Sequence, residues 1–467
     1  MQLDKMKSSL VAVSCALLMA GCTGREAAKE SRPNVIIILA DDLGYGDISC
    51  YAQTANKTPH IDNIAAQGVR CTDFYVPTPY CAPSRATLLT GRFPLRHKLI
   101  KNPTPDRGVN DVGISDYEIT LGEVFQDAGY KTSLVGKWHL GHKEEFFPVN
   151  HGFDEYYGIL YSNDMRPVQI VANKDTVEYP VDQSLLTQKY TAKALEFITK
   201  NKDNPFFLHL CHAMPHKPLA ASERFYTPET KGDLYKDVIR ELDWSVGEIV
   251  KKLKELDLLN NTIIIFMSDN GPYYGGSTGG LKGMKATTWE GGIRVPFIIR
   301  YPKVFQQNTK IKVPCWSPDI FPTILSLAGI KPAKSNYLDG EDITGILRGD
   351  EKNHPPIFSM HNDHILSIRK GNYKLFVEKP RYKRLPADWV DSRGPDGTTI
   401  IAPFEQARPE QYPGVIPEKP LKKIQLFDLK NDVTESNDLS EEKPELVKEL
   451  LQDYQEWYKK LDYQAVP

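Results

Sequence analysis

Four short apolar runs, each ending in a polar cluster, organise this chain. Asn34-Val-Ile-Ile-Ile-Leu-Ala40 runs into Asp41-Asp42, and Lys131-Thr-Ser-Leu-Val-Gly136 runs into Lys137-Trp138-His139. Phe206-Phe-Leu-His-Leu-Cys211 leads to His212 and His216, and Thr262-Ile-Ile-Ile-Phe-Met267 leads to Ser268-Asp269-Asn270-Gly271. Continuous apolar runs of this length between polar turns predict strands buried on both faces, as in a parallel sheet. Helical spacing falls between them at residues 119–126, 184–200 and 234–258. The last carries Val238, Leu242, Val246, Ile249 and Leu253 on one stripe. This alternation predicts an α/β sandwich with a mostly parallel central sheet over residues 33–350.

The pattern changes beyond residue 350. Residues 365–369 and 373–377, joined at Lys370-Gly371-Asn372, predict a hairpin. Residues 380–420 hold eight prolines and little periodicity, which predicts a long loop. A short strand at 425–429 and a helix opened by Pro444 complete a smaller α+β domain with a short antiparallel sheet, residues 351–467. Earlier in the chain, Phe297-Ile-Ile299 predicts one more strand. Ser317-Pro318 opens a helix to residue 328, with Ser317 as its cap.

At the other end, Lys5 and Lys7 precede an apolar run over residues 10–20 that is too short to cross a bilayer. Residues 1–21 therefore predict an export signal, and the polar residues 22–32 a tether. A net charge of −2 gives no support for a nucleic-acid partner. Cys50, Cys71, Cys211 and Cys315 are widely spaced, and the sequence leaves open whether they are free or form up to two disulfides.

Ligands of open α/β sheets bind outside the carboxyl ends of the strands. Asp41, Asp42, Lys137, His139, His216, Asp269 and Asn270 all follow strands, so they converge on one rim if the strands are neighbours. Asp41, Asp42, Asp269 and Asn270 are an oxygen-only set that suits calcium or magnesium. Gathered carboxylates repel unless a cation sits between them. Arg85, Lys137, His139, His216 and Lys285 add positive charge and proton-transfer groups, which implies an anionic substrate. In Cys81-Ala82-Pro83-Ser84-Arg85, Pro83 suits a first helical turn. Cys81 then stands at a helix entrance, with Gly91 as the stop.

These residues carry a resemblance. Cys81-x-Pro-Ser-Arg85 with Thr90-Gly91-Arg92 resembles the signature of type I, formylglycine-dependent sulfatases of the alkaline-phosphatase-like superfamily. Asp41-Asp42, Gly136-Lys-Trp-His-Leu-Gly141, His216-x-Pro218, Asp269-Asn270-Gly271 and Lys285 before Glu290-Gly-Gly-x-Arg294 match that family in order. Gly158-Ile-Leu-Tyr-Ser162-Asn-Asp164 is similar to the arylsulfatase A and N-acetylgalactosamine-6-sulfatase branch. The resemblance implies that a maturation enzyme oxidises Cys81 to formylglycine. It also implies that one calcium ion is held by Asp41, Asp42, Asp269, Asn270 and the modified Cys81.

The implied roles follow from the same resemblance. The hydrated formylglycine attacks sulfur and forms a covalent sulfo-enzyme. Arg85 and Lys137 hold the diol, and His139 takes the proton that expels sulfate. Lys285 binds sulfate, and His216, or else Lys285, protonates the leaving alcohol. Ser162 is a candidate to hydrogen-bond a sulfate oxygen and reads equally as a turn serine. Asn163, Asp164 and His361 are candidate contacts to a sulfated galactose or N-acetylgalactosamine, and aromatics such as Trp389 candidates to stack on it, although each taken singly reads as a solvated loop position. His60 and His151 are read as structural.

Leu18-Met-Ala-Gly-Cys22 resembles a bacterial lipobox, which implies lipidation of Cys22 and anchoring to a membrane in the periplasm or at the cell surface. Two other functions compete. A formylglycine phosphonate or phosphodiester hydrolase shares much of this site, and a non-catalytic glycan-binding lipoprotein needs no Cys81.

Overall fold

All four apolar runs form strands in the computed structural model: Asn34–Ala40, Lys131–Gly136, Phe206–Cys211 and Thr262–Ser268. The structure describes residues 32–54, 56–105, 108–109, 111–165, 167–226, 233–273, 275–332, 336–380, 412–415 and 420–462. The proposed leader and tether with Cys22, and most of the proline-rich segment with Trp389, lie outside the described residues.

The four strands are neighbours, in the order Thr262–Ser268, Asn34–Ala40, Phe206–Cys211, Lys131–Gly136, and all are parallel. They form the middle of a ten-stranded mixed sheet. Glu155–Gly158 continues it in parallel, and Ile170–Ala172 and Asp175–Glu178 extend it antiparallel. On the opposite side Phe297–Arg300 runs antiparallel, followed by Val69–Cys71 and the edge strand Thr309–Ile311. Register brings the central strand ends level: Ala40 lies beside Ser268, and Cys211 lies beside both Leu39 and Gly136.

Side chains alternate across the sheet, as strand geometry requires. Val35, Ile37 and Leu39 enter the core shared with the helices Cys81–Thr90, Leu121–Asp127 and Ile320–Ala328. Ile36 and Ile38 face the core beneath Pro59–Ala66, Leu186–Lys200 and Leu234–Glu255. The long runs of isoleucine and leucine thus satisfy two cores at once, which is why they show no alternation in sequence.

A second sheet is wholly antiparallel, in the order Ile357–His361, His364–Lys370, Tyr373–Phe376, Gln425–Asp428. The predicted hairpin is its centre. Residues from Pro33 onward pack as one unit. The contact between the two sheets is polar as well as apolar. Lys374 Nζ sits 3.1 Å from Glu290 and 2.8 Å from Glu435, and Arg369 lies 2.7 Å from Asp73. Trp289 packs on Phe376 beside them.

Some local expectations change. The predicted helix at 119–126 is Leu121–Asp127, opened by a capping box between Thr120 and Glu123. Ser317 does not cap the following helix. Its buried hydroxyl has no partner, and the Asp319 carboxylate takes the Trp316 N–H instead, at 2.9 Å. Cys50, Cys71, Cys211 and Cys315 are all free thiols. Among the described residues no helix is long and apolar enough to cross a membrane.

Gly136 closes the Lys131–Gly136 strand at φ +111°, and a Cβ there would lie 1.8 Å from the Cys211 carbonyl oxygen. Gly136→Ala is expected to destabilise the fold by about 2 kcal/mol or more, read as a lower unfolding midpoint in urea. Gly329→Ala, whose Cβ meets open space, is expected to lose only about 1 kcal/mol. Equal midpoints for the two variants would contradict this strand packing.

Candidate active site

The strand ends deliver their polar residues to one rim. The Asp41 N–H donates to the Met214 carbonyl at 3.2 Å, the Asp269 N–H to Ala40 at 3.2 Å, and the Lys137 N–H to Cys211 at 2.8 Å. The Asp269 and Lys137 bonds carry the sheet ladder one residue past their strands, and the Asp41 bond ties its strand end to the segment after Cys211. Asp42 and His139 then turn sharply, with φ +62° and +63°. Asp tolerates that region better than most residues. The Asp42 N–H donates to Asp269 Oδ1 at 3.2 Å, and Asn270 Nδ2 donates to Asp42 Oδ1 at 2.7 Å.

The helix Cys81–Thr90 brings in the fifth element. Tyr80 precedes it in extended conformation, Cys81 is its first residue, and Gly91 ends it at φ +67°. Cys81 Sγ lies 3.3 Å from Asp41 Oδ1 and 3.7 Å from Asp42 Oδ1. Lys285 Nζ is 3.3 Å from the same sulfur and 2.7–2.8 Å from the Asp42 carboxylate oxygens. One turn along, Arg85 holds Asp269 Oδ2 through Nε at 2.9 Å and Nη2 at 2.8 Å. Its Nη1 donates to the Lys137 carbonyl at 2.8 Å. Lys137 Nζ is 2.5 Å from Asp41 Oδ2 and 3.0 Å from Ser162 Oγ.

Three buried carboxylates, Asp41, Asp42 and Asp269, thus meet three cations, Arg85, Lys137 and Lys285. Burial alone would raise the Asp41 pKa. Lys137, then His216 and Arg85, outweigh it and hold the carboxyl well below its usual range. Asp269 goes the other way. Burial and the neighbouring Asp41 raise it to about 7 against the pull of Arg85. Burial also works against the Lys285 charge, but Asp42 overrides it and lifts the ammonium above its ordinary value. The Cys81 thiol is pushed well up by burial and by Asp41.

Both candidate proton-transfer histidines are held neutral. Burial, then Lys137 and Arg85, depress His139 well below 6.5. His139 Nε2 donates to the Pro103 carbonyl at 3.3 Å, so Nδ1 is its free lone pair, and that atom is buried without a partner. Burial and Lys285 likewise lower His216. Its Nδ1 donates to the Lys217 carbonyl at 2.6 Å and to Asn163 Oδ1 at 3.0 Å. Its Nε2 stands 3.7 Å from Asp42 Oδ2 and 3.5 Å from Ser162 Oγ.

The proposed substrate contacts divide. Ser162 lies inside the charged cluster. Asn163 is bonded within the protein at both ends of its amide. It is fully buried, and its Nδ2 donates to the His216 and Pro218 carbonyls at 3.4 and 3.2 Å while Gln183 holds it from behind. Asn163 is a positioning residue for His216. Asp164 is half-buried and raises the His139 pKa electrostatically. His361 ends a strand of the second sheet and meets the Tyr80 hydroxyl at 2.8 Å. Tyr80 in turn feels the charge of Lys285. Tyr80 and Gln183 escaped the sequence reading. Tyr80 stands directly before Cys81 in the chain, whereas no local signal marks Gln183. His151 is buried against Trp138, away from this cluster.

The residues fit a hard divalent cation. Ligand atoms of Asp41, Asp42, Cys81 and His216 lie within 4.8 Å of one another. Asn270 Oδ1 is buried beside them with no hydrogen-bond partner. Buried amide oxygens are rarely left so, and a carbonyl-type oxygen among carboxylates is a typical calcium ligand.

Comparison with known proteins agrees with this geometry. The Sulfatase family model matches residues 33–330. N-acetylgalactosamine-6-sulfatase of Canis lupus familiaris is 37% identical over 396 residues, covering 77% of this chain and 74% of that protein. Steryl-sulfatase of Homo sapiens is 32% identical, covering 89% and 85%. A solved structure described under metabolism of multiple glycosaminoglycans by Bacteroides thetaiotaomicron superposes with a TM-score of 0.75 at 27% identity, covering 91% and 99%. The large mixed sheet with a separate small antiparallel sheet is the alkaline-phosphatase-like architecture of such enzymes. This chain belongs to the sulfatase family and is a sulfuric ester hydrolase.

Proposed function

We propose that this sulfatase hydrolyses the sulfate ester of a glycan, with sulfated galactose or N-acetylgalactosamine favoured, through a formylglycine made from Cys81 beside a bound calcium. The environment of Cys81 carries this reading. A thiol pushed up in pKa is a poor nucleophile, because the thiolate is the reactive form. Yet it sits at a helix N-terminus beside two carboxylates and Lys285, where an oxidised, hydrated side chain would gain an attacking hydroxyl.

A formylglycine hydrate would supply the attacking hydroxyl, and a divalent cation would supply Lewis-acid charge there. Asp41, Asp42, Asp269 and Asn270 would hold that cation, with the modified Cys81. Arg85 and Lys137 fix Asp269 and Asp41. Lys285 and Ser162 offer donors to the sulfate oxygens. In this reading His139 Nδ1 would accept the proton whose loss expels sulfate. His216 Nε2 would protonate the leaving alcohol. A sulfate anion beside it opposes the Lys285 charge that depresses its pKa, which is the direction a proton donor needs.

The sugar assignment rests on the relation to N-acetylgalactosamine-6-sulfatase and on the glycosaminoglycan context of the structural relative. The steryl-sulfatase relation shows that family membership alone does not choose the alcohol. Asp164 and the His361–Tyr80 pair are the groups proposed to meet the sugar. We also propose export by the leader, with lipid attachment at Cys22 and oxidation of Cys81 by a maturation enzyme of the host.

Mass analysis of natively made protein tests the modification. The Cys81 peptide is expected about 18 Da lighter than unmodified cysteine and trappable by a hydrazide. The Cys22 peptide is expected to carry acyl chains. Active protein with only unmodified Cys81 would sink the formylglycine reading. In turnover assays, 6-O-sulfated galactose or N-acetylgalactosamine should exceed steroid sulfate in kcat/KM by about tenfold or more, which is 1.4 kcal/mol in the transition state.

Calcium at about 100 times its Kd should stabilise the wild type by about 2.7 kcal/mol, seen as a raised Tm. Asn270→Ala should lose most of that shift, and an undiminished shift would remove Asn270 from the ion site. Because His139 is held well below 6.5, its base form survives as pH falls through that value. The acid limb of kcat is therefore expected below 6.5, and a break at or above 6.5 would contradict His139 as the base.

A further inference from the structure

A basic cleft of about 430 Å³ opens beside the edge of the large sheet, outside the site described above. Six of its lining residues are basic and one is acidic. The acid, Asp73, is already clamped between Arg294 at 3.1 Å and Arg369 at 2.7 Å. The remaining four cations, Arg70, Lys310, Lys312 and Lys430, have no acidic partner among the described residues.

Their placement is electrostatically unfavourable without an anion. Arg70 and Lys310 lie side by side in the parallel pairing of Val69–Cys71 with Thr309–Ile311. Lys312 follows just beyond the strand and lines the same cleft. Like charges directly across a strand pair repel and destabilise it. Lysine on an edge strand guards against edge pairing. That role does not account for Arg70, which is on the inner strand, or for Lys430, which comes from beyond the second sheet. Two half-buried tyrosines share the cleft. Tyr45 and Tyr51 meet edge to face, and the Arg70 guanidinium lies 5.6 Å from the Tyr51 ring centre. Clustered cations beside aromatic faces complement a chain that alternates sugar rings with anionic groups.

The cleft also lies on the same rim as the active site. Cys71 pairs with Phe297, and Phe297 with Met267, two residues before Asp269. Three strand spacings separate the Asp269 strand from Thr309–Ile311, roughly 14 Å sideways. An oligosaccharide spans such a distance, and a single sugar does not.

We propose that this cleft is a second binding site for a sulfated glycan chain, which anchors polymeric substrate beside the catalytic rim. The inference rests on the glycan reading of the active site, and the experiment separates the two. The probe is dextran sulfate, with neutral dextran as control, titrated into the Cys81→Ala full-length protein.

The double variant Lys310→Ser/Lys312→Ser in that background is expected to weaken dextran sulfate binding about tenfold and to flatten its dependence on salt. Lys430→Ser should weaken it in the same direction. In the active enzyme the double variant should raise KM for a polymeric sulfated glycan about tenfold. Its kcat and its KM for a small aryl sulfate should stay unchanged. Unchanged binding overturns the proposal, as does an equal loss in the control Lys251→Ser/Lys254→Ser on a distant helix face. Turnover of aryl sulfate but of no glycan refutes the substrate reading, while the binding loss still supports the cleft. Glycan turnover with the same KM in variant and wild type overturns the cleft and leaves the substrate reading standing.

Discussion

Three carboxylates buried at the ends of adjacent parallel strands are the constraint on which the site depends. Asp41, Asp42 and Asp269 are each almost wholly shielded from water, and such groups repel one another strongly at low dielectric. The fold answers with Arg85, Lys137 and Lys285, each bonded to one or more of them. These are long side chains from three different elements, so each must be held by its own backbone. Arg85 rides on the Cys81–Thr90 helix, Lys137 continues a strand, and Lys285 is tied by its N–H to the Pro272 carbonyl. Loss of any one cation leaves a buried charge unpaired, which is far more damaging than loss of a surface pair.

The same balance suits the chemistry. With three acids against three bases the rim is close to neutral, and a divalent cation would make it positive enough for a sulfate ester. Burial and the neighbouring cations depress both histidines below their ordinary value. Their hydrogen bonds then separate them. The Pro103 carbonyl turns the His139 Nδ1 lone pair inward, whereas Lys217 and Asn163 fix the His216 Nδ1 proton and present Nε2 to the rim.

The second sheet is part of this arrangement rather than an appendage. Its buried Lys374 joins Glu290 to Glu435 across the contact, and its His361 reaches Tyr80 at the helix entrance. A glycan presented to Cys81 would therefore meet groups from both sheets, and Lys430 with Asn372 continues the second sheet into the basic cleft.

Much of this was determined by the sequence alone. The isoleucine-rich runs specify central strands because only a two-sided core tolerates continuous apolar residues, and the polar cluster after each run marks the rim. The Cys81 pentapeptide and the paired Asp41-Asp42 and Asp269-Asn270 carry the chemistry in contiguous residues, so they are legible without a fold. Tertiary structure alone decided which residues share a hydrogen bond across long separations. Asn163 stands beside Ser162 in sequence, yet its buried amide bonds the His216 segment. Gln183, Pro103 and Tyr80 act through contacts that no local pattern encodes. The short strands Val69–Cys71, Thr309–Ile311 and Ile357–His361 are likewise set by their neighbours, because three to five residues carry too little periodicity to specify pairing. The juxtaposition of Arg70 and Lys310, 240 positions apart, exists only because those strands pair.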